Sequence, residues 1–160
     1  MASFAVYKID DDWEAEVVLC WDCYYVLNDG ALLATQQTES WCRRCRNVVA
    51  GEVVPTIVQI EDEIRQLTDV NDKIHKCFFR ATIVQMLADA RLRLRWRPTR
   101  ESNPRCLDCQ STDIVNITDE NFVDPVSGTN IRQLSGGHAS MATEFMRRLT
   151  PEGLLLETTP

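Results

Sequence analysis

The sequence predicts an α+β protein: a β region with paired cysteines at the N-terminus, an antiparallel helical hairpin, and a second, smaller Cys-x-x-Cys β element. Three observations lead there. Cysteines recur as Cys-x-x-Cys units flanked by apolar or alternating segments; between about residues 56 and 96 the apolar period changes from two to three and four; alternation then returns. The 160 residues, 44% apolar and 26% charged with only 6 Gly and 6 Pro, suit one globular unit rather than a disordered chain. Its parts are a β region over 1–55, a helical hairpin over 56–97, and a second cysteine element with the tail over 98–160, expected to form one compact unit.

Phe4 to Ile9 reads as a strand, Asp10-Asp11-Asp12 as a solvated turn, and Glu14 to Leu19 as a second strand. The three aspartates lack the glycine and bidentate Glu of a calcium loop. In YYVLNDGALLA, Asn28-Asp29-Gly30 separates two apolar runs and predicts a hairpin. RNVVAGEVVP reads as a strand stopped at Pro55.

Ile57, Ile60, Ile64 and Leu67 recur at helical spacing, with Thr56 as N-cap and Glu61, Asp62 and Glu63 near the start. This helix is expected to end near Thr68, because Asp69-Val70-Asn71-Asp72 supplies a break and a new cap. Ile74, Cys77/Phe78, Ala81, Val84, Leu87/Ala88 and Ala90/Arg91 then continue the stripe through a longer helix packed antiparallel on the first. In the tail, Asp113 to Ile117 predicts a strand, Ser140 to Leu149 a short helix, and Leu154 to Leu156 an edge strand.

Seven cysteines are an odd number for a disulfide framework, and six of them fall into three pairs: Cys20/Cys23, Cys42/Cys45 and Cys106/Cys109. Two thiols three positions apart converge on one ion when the backbone turns tightly between them. Two such knuckles complete a tetrahedral site, for which redox-inert zinc is well matched. C-W-D-C and C-R-R-C stand eighteen residues apart around the Asn-Asp-Gly reversal, with Trp21 and Trp41 placed to cover an ion. Over residues 17–54 the segment resembles the zinc-ribbon class in general. The resemblance implies a structural tetrathiolate site of Cys20, Cys23, Cys42 and Cys45 on two knuckles and a β-hairpin, and no single activity. A redox-active Cys-x-x-Cys is the competing reading, and it would need a helix opening in a βαβ context.

Cys106 and Cys109 look like half of a second ribbon. His75, Cys77 and His138 are the remaining Cys or His residues, and His75 and Cys77 do not share a helix face. Cys77 reads as a buried small hydrophobe, and His138, after Ser135-Gly136-Gly137, as the best additional ligand. The third pair is read as a partial, degenerate or shared site; a swap in which it completes a site with one of the earlier pairs stays open. An open catalytic zinc at Cys106, Cys109 and His138 is a further alternative.

Arginine supplies fourteen of the seventeen basic residues, and Arg80 to Arg105 carries a net +5 in a chain of net −7. Arg91, Arg93, Arg95, Trp96 and Arg97 form the densest patch. On a strand it would present guanidinium groups on one face and Leu92, Leu94 and Trp96 on the other; on a helix it would spread them. Such a patch can dock a protein, contact phosphates together with Arg43, Arg44 and Arg46, or pair with the chain's own carboxylates. The acidic balance, with a pI near 4.8, opposes a surface devoted to nucleic acid.

Phosphate-loop, dinucleotide, nucleophile-elbow and metalloprotease motifs are absent from the sequence. The start lacks a basic end followed by an apolar run, and no stretch spans a bilayer, so a cytoplasmic location away from membranes is expected. The resulting expectation is a non-enzymatic, zinc-stabilised protein-interaction module, an adaptor or an immunity-type protein that masks a basic partner. A nucleic-acid-associated zinc ribbon is the alternative, and a zinc hydrolase the third.

Overall fold

The computed structural model describes residues 2–10, 12–19, 22–73, 79–139 and 146–159. Mixed α+β architecture is observed, with two helices and eleven strands among the described residues. Strands β1 (Ala2–Ile9) and β2 (Trp13–Leu19) form an antiparallel pair turned at Asp10, whose φ is 48°. β3 (Cys23–Val26) and β4 (Leu32–Ala34) make the hairpin expected around Asn-Asp-Gly: Gly30 adopts φ 81° and the Ala31 amide donates to Asp29 Oδ1. β5 (Gln36–Cys42) and β6 (Asn47–Val53) form a longer hairpin.

After helices α1 (Ile57–Lys73) and α2 (Arg80–Trp96) and a 3-10 turn over Arg97–Thr99 come five short elements. These are β7 (Ile114–Asn116), β8 (Asn121–Val123), β9 (Asn130–Ala139), β10 (Met146–Leu149) and β11 (Leu155–Thr159). Three sheets result, ordered β2-β1-β9-β8, β11-β10-β3-β4 and β6-β5-β7. The two-residue period of β1 and β2 places Ala5, Tyr7, Ile9, Ala15 and Val17 on one face, where they pack with Ile131, Trp41 and Val48. A second core joins Tyr25, Leu33 and Leu149 to Ala50, Trp96 and Leu107. The β5–β6 hairpin thus serves both cores, and β6 is buried on both faces from Val48 to Glu52.

α1 begins at a reciprocal cap: the Gln59 amide donates to Thr56 Oγ1, and the Thr56 amide donates back to Gln59 Oε1. It does not stop at Thr68 but runs on to Lys73, since Asp69 to Asp72 contains neither Gly nor Pro. Arg97 Nε donates to Pro55 O at 2.8 Å and Arg93 Nη1 to Glu63 at 3.1 Å, so the end of α2 lies beside the start of α1. The expected second-helix start around Ile74, with Cys77 and His75, lies outside the described residues. The helix expected over Ser140 to Leu149 is corrected where it is described: Met146–Leu149 is a strand, recruited by β3 in parallel and by β11 in antiparallel pairing. No helix among the described residues is long and apolar enough to cross a membrane.

Beneath the end of α2 sits a fully buried ion pair, Arg100 Nη2 to Glu52 Oε2 at 2.8 Å. Tyr25 Oη donates to Glu52 Oε1 at 3.0 Å and the Arg105 amide to Oε2 at 2.8 Å, while Arg100 also reaches the carbonyls of Pro151 and Asn103. Trp96 stacks on Tyr25 with ring centroids 4.6 Å apart, and the Arg100 guanidinium lies within 6 Å of both rings. Gly153, at φ 76°, covers this network; a Cβ there would come 2.3 Å from Glu52 Oε1.

Candidate metal centre

β5 ends at Cys42, and the chain reverses through Arg43, Arg44, Cys45 and Arg46 into β6. The Cys45 amide donates to Cys42 Sγ at 3.4 Å, and Arg46 leaves the turn at φ 53°. The turn after Cys106 repeats this geometry: the Cys109 amide donates to Cys106 Sγ at 3.4 Å, and Gln110 leaves at φ 64°. Left-handed backbone is uncommon outside glycine. Its occurrence at the same place in both turns marks them as equivalent knuckles.

The knuckles face each other. Cys42 Sγ and Cys109 Sγ are 3.6 Å apart, Cys45 Sγ and Cys106 Sγ 3.9 Å, and all four sulfurs lie within 4.8 Å of one another. Four cysteines so placed could hold a metal ion. Cys42 and Cys106 are buried, whereas Cys45 and Cys109 are partly exposed.

Backbone pairing brings the second knuckle to the first. Leu107 N donates to Ala50 O, Glu52 N donates to Arg105 O, and Cys106 bridges Gly51, so the Cys106 segment lies along β6. A side chain at position 51 would stand 2.3 Å from Ser40 Oγ, so glycine is needed at this contact. β7 then pairs with β5, and Arg43 N donates to Asp113 O at 3.1 Å.

The thiols of the cluster differ in how readily they ionise. Burial pushes the Cys106 thiol up to about 12 and raises Cys45 as well, where hydrogen bonds with the Cys109 and Cys42 sulfurs add to it. Burial also opposes ionisation of Cys109, but the Ser111 amide and the three neighbouring thiols outweigh it and hold Cys109 below the ordinary range. Cysteine binds a metal as its thiolate, so a divalent cation among these sulfurs would favour the ionised form that burial opposes.

Arg43, inside the first knuckle, anchors the site to the first sheet. Its Nε and Nη2 donate to the buried carboxylate of Asp124 at 3.0 and 2.6 Å, and its Nη1 to Asp113 at 2.7 Å. The Arg43 guanidinium, with the Ser127 hydroxyl and amide, holds the Asp124 carboxyl far below the usual range.

The pairing expected between Cys20/Cys23 and Cys42/Cys45 is thus replaced by Cys42/Cys45 with Cys106/Cys109, the swap that the spacing left open. Cys23 lies in the second core with Tyr25, Leu33 and Leu149; the hairpin returns to it at Thr35, whose amide donates to Cys23 O at 2.9 Å, and the chain then enters a different sheet before it reaches Cys42. Cys20 and Trp21 lie outside the described residues, as does the side chain of His138, whose backbone pairs with Ser3 in the first sheet.

The Arg/Trp patch is divided by the helix that carries it. Arg91 and Arg95 are exposed, but Arg93 and Trp96 are buried and Arg97 is tied to carbonyls. Sequence reasoning missed Asp124, Glu52 and Arg100. For Asp124 the turn composition of Asp124-Pro125-Val126-Ser127 was a usable signal; for the Glu52–Arg100 pair, 48 positions apart, no local signal exists. The chain matches no family model, no curated protein and no solved structure.

Proposed function

We propose that this protein is a non-enzymatic protein-interaction module, of the adaptor or masking kind, whose fold is closed by a structural zinc ion on Cys42, Cys45, Cys106 and Cys109. The observation that carries the structural role is the closed ligand set, four cysteine sulfurs of one chain on two equivalent knuckles. A tetrahedral zinc with Zn–S bonds of about 2.3 Å has sulfur–sulfur edges of about 3.8 Å, and the measured 3.6 and 3.9 Å agree with that figure. Catalytic zinc keeps a position for water or substrate, whereas here cysteine would fill all four. In this reading β5, β6 and β7 carry a ribbon-like site, and α1 and α2 are an antiparallel hairpin inserted between its two halves.

The interaction reading draws support from how the arginines are used. Arg43, Arg93, Arg97, Arg100 and Arg105 are bound to carboxylates or carbonyls of the same chain, so the acidic excess of a chain with net charge −7 dominates what is left for partners. The nucleic-acid reading keeps Arg44, Arg46, Arg91 and Arg95, which are exposed.

Native mass spectrometry of the protein drawn gently from its own cells tests both. A zinc-loaded chain with a protein companion is expected. A zinc-free chain would refute the structural site, and a lone chain that binds labelled RNA or DNA with a steep log-linear salt dependence would favour the nucleic-acid reading.

A further inference from the structure

Between the helices and the sheets lies a cleft of about 700 Å³, a volume within the range of ligand-binding sites. Leu19, Val53 and Met86 give it apolar walls, and Thr35 to Thr38 line one side with hydroxyls and amides. On the helical side stand Glu63, Asp89 and Arg93.

Two features give the cleft a chemical preference. First, its charge is negative: Arg93 is neutralised by Glu63 at 3.1 Å, and Asp89 remains, with Gln85 Nε2 on one carboxylate oxygen. Second, Thr35 is more than nine-tenths buried and its Oγ1 has no hydrogen-bond partner among the described residues. Buried hydroxyls are ordinarily paired; this one is itself shielded from solvent at a residue that lines the cleft, so a rotation of the Thr35 side chain would give it a hydrogen bond with an incoming polar group.

We propose that this cleft docks an extended basic–apolar peptide segment of a partner protein. The proposal rests on the interaction reading above and names the partner's chemistry. A lysine or arginine of the segment pairs with Asp89 and the outer edge of Glu63. An apolar side chain packs against Leu19, Val53 and Met86, and a backbone amide or carbonyl meets Thr35. The negative chain as a whole favours the encounter.

The test uses the zinc-loaded full chain and fluorescence anisotropy of two labelled, end-blocked hexapeptides, one alternating lysine and leucine and one alternating glutamate and leucine. The lysine peptide is expected to bind and the glutamate peptide not. Asp89→Asn should weaken binding about fivefold. Thr35→Val should weaken it by about the same factor without lowering the melting temperature, since its hydroxyl bonds nothing among the described residues. Asp119→Asn, in the exposed turn between β7 and β8, should leave binding unchanged.

Equal weakening by Asp89→Asn and Asp119→Asn would reduce the effect to bulk charge and overturn the cleft. Failure of the lysine peptide, or equal binding of the glutamate peptide, would overturn it too. A cellular companion retained undiminished by Asp89→Asn refutes the cleft and leaves the interaction reading standing; no companion with the unaltered chain refutes the interaction reading itself.

Discussion

Replacing Arg100 by Met removes the cation from a carboxylate that has no route to water. Glu52 and Arg100 are both fully buried and 2.8 Å apart, and Glu52 would keep only the Tyr25 hydroxyl and the Arg105 amide as donors. Breaking such a pair from one side costs about 3 to 5 kcal/mol, a large share of the roughly 5 to 15 kcal/mol that holds a domain folded. Glu52→Gln should cost less, about 1 to 2 kcal/mol, because Arg100 still meets the carbonyls of Pro151 and Asn103 and lies 3.8 Å from Glu152. The double variant should lose less than the sum of the two.

Urea unfolding of zinc-loaded protein, followed by circular dichroism, measures all three. The deficit of Arg100→Met also carries a pH signature. Burial already pushes the Glu52 carboxyl up, against Arg100, Tyr25 and the Arg105 amide, and loss of Arg100 pushes it further. A carboxyl whose folded pKa lies above its unfolded value near 4.3 costs nothing below that value and costs more as pH rises through the folded one. The deficit should therefore grow as pH rises above about 4.3. A deficit under about 1 kcal/mol, or one independent of pH, would refute the reasoning.

Two further outcomes are expected. Cys106→Ser should abolish stoichiometric zinc and expose the Cys45, Leu107 and Cys109 amides to hydrogen exchange, whereas Cys23→Ser should keep its zinc; the reverse pattern by elemental analysis would restore the pairing of the first two knuckles. Asp124→Asn should lower the urea midpoint at pH 7. The Asp124 carboxyl is held low by Arg43, so its contribution is present above the unfolded value near 3.9 and lost as pH falls below it; the gap from the unaltered chain should close in acid.

That cysteine pairs would supply a candidate metal site was legible in the sequence, but the partnership between them was not. A Cys-x-x-Cys knuckle is a local turn, identical in appearance whichever knuckle it meets. The choice is made by β6, which receives the Cys106 segment along its length, while glycine at position 51 leaves room for Ser40 and Ile114 beside it. The period of Ile57, Ile60, Ile64 and Leu67 was enough to place α1. Alternating Arg and Leu from Arg91 to Arg97 fitted helix or strand equally, and the tertiary contacts of the segment, Trp96 on Tyr25, Arg93 to Glu63 and Arg97 to Pro55, are those of the helix. Met146–Leu149 shows the opposite case, a segment with fair helical composition that becomes a strand because β3 and β11 supply its hydrogen bonds.

Cys45 and Cys106 stand 61 positions apart, and everything between them, both helices included, is a loop whose two feet share one set of sulfurs. An ion held there acts as a clasp. By the loop-closure arithmetic for a cross-link of this span it withholds about 4 kcal/mol of freedom from the unfolded chain. A chain cut between Lys73 and Phe79 would stay one particle, because β1 pairs with β9, β3 with β10 and β5 with β7 across the cut, and the shared ion would be one further tie between the two pieces.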